Sequence, residues 1–147
     1  MKKQLFNLSL ILALTVLFTA CGKYEDGPAF SLLTKKMRIT GEWKIEKMFK
    51  NDTEQQLSAD AQNSSMLIEG DGTGKMTYTS NAITIAVDFE WEFGDNKESF
   101  KVRTKKLDGT WDEWDESDIV RLTNSELWIK DISTITTDVY ITHFGKI

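Results

Sequence analysis

Residues 83–93 read ITIAVDFEWEF, and their order decides the fold. Ile83, Ile85, Val87, Phe89, Trp91 and Phe93 alternate without a break with Thr84, Ala86, Asp88, Glu90 and Glu92. Side chains of a β-strand point to opposite faces in turn, so the pattern predicts one long strand with a buried face and a wet face. A helix built from the same residues would scatter its apolar groups around the whole circumference and bury none of them well.

Working outward from this strand, similar patterns recur at short intervals. On the N-terminal side, residues 65–69 and 75–80 read as a hairpin, with Gly70, Gly72 and Gly74 permitting the positive φ of a tight turn. On the other side the turn GDNK leads into ESFKVRTKK, where Phe100 and Val102 face inward and Lys101 and Arg103 outward. DIVRLT, the turn NS and ELWIKDI follow, adding Leu122 and Ile129 to the inward set, and residues 138–144 make a last strand. The first strand begins at Glu42, with Trp43, Ile45 and Phe49 on one face and Lys44 and Glu46 on the other. The polar stretch NDTEQQLSADAQNSS reads as a loop between it and the hairpin. Ahead of it, Ser31 is placed to cap a short helix through Leu32, Leu33, Met37 and Ile39, which Gly41 ends. The expected architecture is all-β: eight antiparallel strands in up-and-down order, closed into a barrel and preceded by a short helix. Two packed sheets are the competing arrangement.

The N-terminus has a different character. Lys2 and Lys3 precede an apolar run from Leu5 to Phe18, shorter than the roughly 20 residues a membrane-spanning helix needs. Small residues Thr19 and Ala20 then precede Cys21, the single cysteine. The first two features predict a secretory signal over residues 1–20. The cysteine directly after the small pair resembles the lipobox of bacterial lipoproteins. That resemblance implies cleavage before Cys21, acylation of its thiol and of the new amino terminus, and an outer-membrane lipoprotein facing the periplasm or the cell surface. A cleaved, soluble secreted chain is the alternative. A single cysteine excludes a disulfide within the chain and a thiolate zinc site. A catalytic thiol would want a base, and the one histidine, His143, is far away in sequence. Residues 21–30 have little to bury and read as a flexible tether. Its Glu25 and Asp26 resemble the acidic run behind the acylated cysteine of surface-exported lipoproteins, or serve only as a solvated linker.

Residues 31–147 are enough for one domain. The formal charge is −5, and loss of Lys2 and Lys3 with the signal makes it two units more negative. That balance argues against nucleic acid or an anionic lipid surface as partner. Without disulfides the stability has to come from packing, for which five tryptophans and eight phenylalanines are good material.

Gly41-Glu42-Trp43, after a short helix and at the start of the first strand, resembles the G-x-W element of the lipocalins. IEGDGTGKMTY, FEWEF and LTNSELWIK are similar to segments of short bacterial lipocalin-like lipoproteins, so the likeness runs over residues 31–147. It implies a barrel whose base is plugged by Trp43 beside Gly41. Lipocalins usually cover that tryptophan with an arginine just after the last strand. Here the chain ends THFGKI, with Lys146 as the nearest cation, so the lock is altered or missing.

Of the chemistries considered, binding fits best and catalysis least. Asp88, Glu90 and Glu92 share a strand face, but an outward face hydrates carboxylates, whereas a glycosidase acid must be desolvated. His143 has no motif partner and reads as a strand residue near one end of the barrel. Residues 108–118, DGTWDEWDESD, gather acids that suit calcium, yet their spacing misses the known calcium loop; a solvated acidic loop is expected, with no metal and no cofactor. The leading expectation is a small apolar or amphipathic ligand inside the barrel, walled by Ile45, Ile85, Val87, Phe89, Trp91, Phe100, Val102, Leu122 and Ile129. The alternative is an interior filled by side chains, with Trp111 and Trp114 at the rim contacting glycan or protein. Membrane contact is expected only through the acyl chains.

Overall fold

The computed structural model describes residues 32–147. The signal over 1–20, Cys21, the tether over 21–30 and the cap at Ser31 lie outside the described residues. In chain order the elements are α1 (Lys35–Ile39), β1 (Gly41–Lys50), β2 (Thr53–Gln55), α2 (Ala59–Gln62), β3 (Ser65–Ile68), β4 (Thr73–Ser80), β5 (Ile83–Phe93), β6 (Ser99–Thr104), β7 (Asp115–Leu122), β8 (Glu126–Ile132) and β9 (Val139–Lys146).

Eight of the strands make a closed antiparallel barrel. β1 pairs with β3, each later strand with the next, and β9 returns to β1 from Trp43↔Lys146 to Lys50↔Tyr140. One continuous sheet that meets its own first strand leaves no room for the two-sheet alternative. The ninth strand, β2, is an addition. β3 covers only Gly41–Trp43 of β1, and β2 pairs with the far end of β1, Met48 to Lys50, which would otherwise be an open edge. The segment expected as plain loop therefore holds a strand and a helical turn, the latter capped by Ser58 Oγ accepting from Ala61 N–H at 3.2 Å.

The short helix ahead of β1 has Thr34 as its cap: Thr34 Oγ1 accepts from Met37 N–H at 3.2 Å. Leu32 therefore precedes the helix and is exposed.

β1 departs from simple alternation. The pairing steps from Ile45↔Phe144 to Lys47↔His143, so Glu46 is an extra residue, a bulge. Trp43 and Ile45 face in; after the bulge Met48 takes the inward phase and Phe49 the outward one. The expectation that Phe49 shares a face with Trp43 fails for this reason. Outside, its ring lies 4.9 Å from that of His143, which stacks on Trp128 at 3.9 Å.

The core is a single cluster: Ile39 from α1, with Trp43, Met66, Ile68, Phe89, Trp91, Phe100, Ile119, Leu122, Leu127 and Ile129 from the inward faces. Gly74 makes one close approach possible. A side chain there would run into the Phe89 ring and the Leu67 carbonyl. Most of the fully buried residues gather at the end of the barrel that α1 covers. The other end, bearing the 51–52, 81–82, 105–114 and 133–138 connections, is open.

At that open end β5 outruns its neighbour. Phe89 to Phe93 pair with β6, but Ile83 to Val87 pair only with β4. The tip of the β4–β5 hairpin is thus an arm held on one side.

Candidate functional site

The two ends of the barrel are built differently. At the closed end Trp43 is fully buried and its Nε1 donates to the Ile39 carbonyl at 2.7 Å. The Lys146 ammonium stands 4.7 Å from the Trp43 ring centroid and donates to the Arg38 and Thr40 carbonyls, each at 2.7 Å. One carbonyl lies in the last turn of α1 and the other at its C-cap, so one lysine covers the ring and ties down the helix. Burial lowers the Lys146 pKa. Gly41, with φ of 138°, lets the lysine stem cross: a Cβ there would sit 2.9 Å from Lys146 Cε. Arg38 Nη1 completes the seal by donating to the Leu122 carbonyl at 2.6 Å. Of the two expectations for this end, altered or missing, the structure shows the first: a lysine, not an arginine, covers the tryptophan.

Above this plug the barrel is hollow. A cavity of about 470 Å³ lies in the open half, a volume in the range of small-ligand pockets. Its apolar walls are Met66, Met76, Phe100, Val102, Ile129 and Phe144; Thr142, Thr104 and Ser117 add hydroxyls. Toward the mouth the lining turns acidic, with Asp112, Glu113, Asp115 and Asp131 beside Arg103. A second space of about 160 Å³, against Trp43, Ile45, Ser64, Ser65 and Tyr78, shares Met66, Met76 and Phe144 with the first. Those three side chains form the partition. Two of them are methionines, the most adaptable apolar side chains.

The expected wall residues divide into three groups. Phe100, Val102 and Ile129 line the main cavity and Ile45 the smaller one. Phe89, Trp91 and Leu122 are packed in the core below, Trp91 with its Nε1 donating to the Glu69 carbonyl at 2.9 Å. Val87 is half-buried and Ile85 exposed, since both sit where β5 has left β6 behind. Residues the alternation had not picked out complete the site. Met66 and Met76 stand on the inward phase of the β3–β4 hairpin, where the signal was available. Asp115 and Asp131 hold inward phases of β7 and β8, but an acid at such a position reads as solvated until the cavity around it is seen.

The Asp131 carboxyl is the unusual group of the mouth. It accepts a hydrogen bond from Ser117 Oγ, directly across on β7. Restricted hydration raises its pKa above the ordinary aspartate value, and Asp115 and Asp118 push it further the same way.

Trp111 and Trp114 take the outer wall. Trp111 bridges to Lys105, just past the end of β6. The Arg103 guanidinium lies 5.3 Å from the Trp111 ring and 4.7 Å from the Trp114 ring, and it also pairs with Glu90. The two tryptophans thus hold a cation of their own chain. The outward acids are likewise paired: Lys75 with Asp88 at 3.8 Å and Lys101 with Glu92 at 3.7 Å. In the acidic loop Asp108 accepts from both the Thr110 N–H and hydroxyl, and Asp112 from the Thr104 hydroxyl. Among the described residues no group of three or more His, Cys, Asp or Glu side chains is placed to hold a metal ion.

Comparison with protein-family models and with curated proteins found no match.

Proposed function

We propose that this chain is a binding protein of the cell envelope, anchored by acyl groups on Cys21, that holds a small amphipathic molecule in its barrel and catalyses no reaction. The observation that carries the reading is the cavity of about 470 Å³, floored by apolar side chains and open at the end away from the Trp43 plug. An apolar body placed there leaves water on all sides, each methylene contributing about 0.8 kcal/mol. Turning Met66 and Met76 aside would join the two spaces and lengthen the site toward Trp43. The anchor rests on the resemblance of LFTAC to a lipobox, and the outer membrane is the location that this resemblance implies.

Native mass spectrometry of the protein purified from its own cells should show an adduct of a few hundred daltons that organic solvent removes. A lipophilic fluorophore should bind residues 32–147 with a rise in emission, and Val102→Phe, which fills the cavity, should weaken it at least tenfold. Equal binding by the Val102→Phe chain would place the probe elsewhere and overturn the reading.

A further inference from the structure

The walls of the cavity are unequal in charge, and this bears on what the ligand carries at its outer end. The floor is Met66, Met76, Phe100, Ile129 and Phe144, whereas the wall made by β7 and β8 near the mouth presents Asp115 and Asp131 on inward phases. The cations nearby are already engaged. Arg103 pairs with Glu90 between two indole rings, Lys130 with Asp118 at 3.1 Å, Lys106 with Asp112 at 3.1 Å, and Lys50 with Asp138 at 2.8 Å. Asp131 is met only by the Ser117 hydroxyl among the hydrogen bonds of the described residues.

We propose that the ligand is a cationic amphiphile: an apolar body in the barrel with an ammonium or similar donor group at the mouth, held by Asp131 and Asp115. The inference rests on the cavity reading above and adds the charge of the ligand to it. An anionic headgroup would meet two carboxylates at close quarters and be rejected. A neutral one would leave both carboxylates unpaired by charge. An ammonium gains a charge-assisted hydrogen bond at the acidic wall, and it relieves the repulsion that Asp115 and Asp118 exert on Asp131. The same tail with three different heads would therefore bind in a fixed order.

Among the described residues, 32–147, the strands close into a complete barrel around one core cluster, so this segment serves as the test protein. Decylammonium, decanol and decanoate, each below its aggregation limit, are titrated into it by calorimetry. Decylammonium should bind about tenfold or more tightly than decanol, as one charge-assisted hydrogen bond warrants, and decanoate most weakly. In the Asp115→Asn/Asp131→Asn chain the ratio of ammonium to alcohol affinity should fall to about one. These substitutions keep shape and remove a repulsion, and an unchanged circular dichroism spectrum would verify the fold. If decanol and decanoate bind as tightly as decylammonium, the charge inference is overturned while the cavity reading stands. A preference that persists in the double variant overturns the assignment to these two aspartates. Binding of none of the three overturns both.

Discussion

Trp43 and Lys146 form the most telling pair of residues in the chain. The indole fills the closed end, and the lysine covers it while satisfying two carbonyls at the C-terminal end of α1. Trp43→Ala should cost about 3–5 kcal/mol, the usual penalty for emptying a buried aromatic site; a loss of under about 1 kcal/mol in urea unfolding would contradict its role as plug. Lys146→Met keeps the stem over Gly41 but leaves both carbonyls without the ammonium, so a loss of about 1–3 kcal/mol is expected. His143 provides a pH test. Burial, then Lys47, holds its pKa below the ordinary value of 6.5, so the folded state favours the neutral ring stacked on Trp128. The linkage has one sign: this stabilisation is complete above the unfolded pKa and is lost as pH falls through the lower folded value. The urea midpoint should therefore drop between about pH 7 and about pH 5, and drop less in His143→Phe. Equal drops would mean the stack is indifferent to the proton.

Among the elements, β1 and the β4–β5 hairpin show how a local irregularity sets what a strand can do. The extra residue at Glu46 re-phases β1, sending Met48 inward and Phe49 onto the outer ladder with His143 and Trp128. Lys44 lies across from Gly145, over which the Glu46 side chain folds. In the hairpin, Gly74 admits the Phe89 ring against bare backbone. Gly74→Ala would force that ring out of a filled core, and such overpacking commonly costs about 1–3 kcal/mol. The measurement is thermal unfolding, with Gly109→Ala as the contrast. Gly109 meets nothing nearby, so its effect comes from the strain of a φ of 86° alone.

At the scale of the whole molecule, a closed sheet plugged at one end leaves a hollow at the other, and the proposed anchor precedes all of it in the chain. Cys21→Ala should move the protein from the membrane fraction to the soluble one and abolish incorporation of labelled palmitate. The unfolding midpoint of the barrel should stay where it was, because among the described residues the core cluster begins only at Ile39. Label incorporated by the variant as strongly as by the native chain would remove the anchor from the proposal.

What the sequence determined by itself was the eight barrel strands and their order. The 83–93 alternation corresponds to β5 residue for residue, because period two is a local property of extended chain. Closure was legible too, since eight strands joined by short turns have few other ways to lose their edges. Long-range contact decided the rest. β2 forms only because β3 is too short to cover β1, and a bulge opposite β9 moves Phe49 outside. Lys146 reaches Trp43 across more than 100 positions because the last strand ends beside the first. The acids of the mouth could not be read as inward, because a carboxylate's environment is set by neighbouring strands and not by its own. Hydrophobic alternation is written residue by residue, whereas a cavity is the space several strands fail to fill, and it exists only once they have closed.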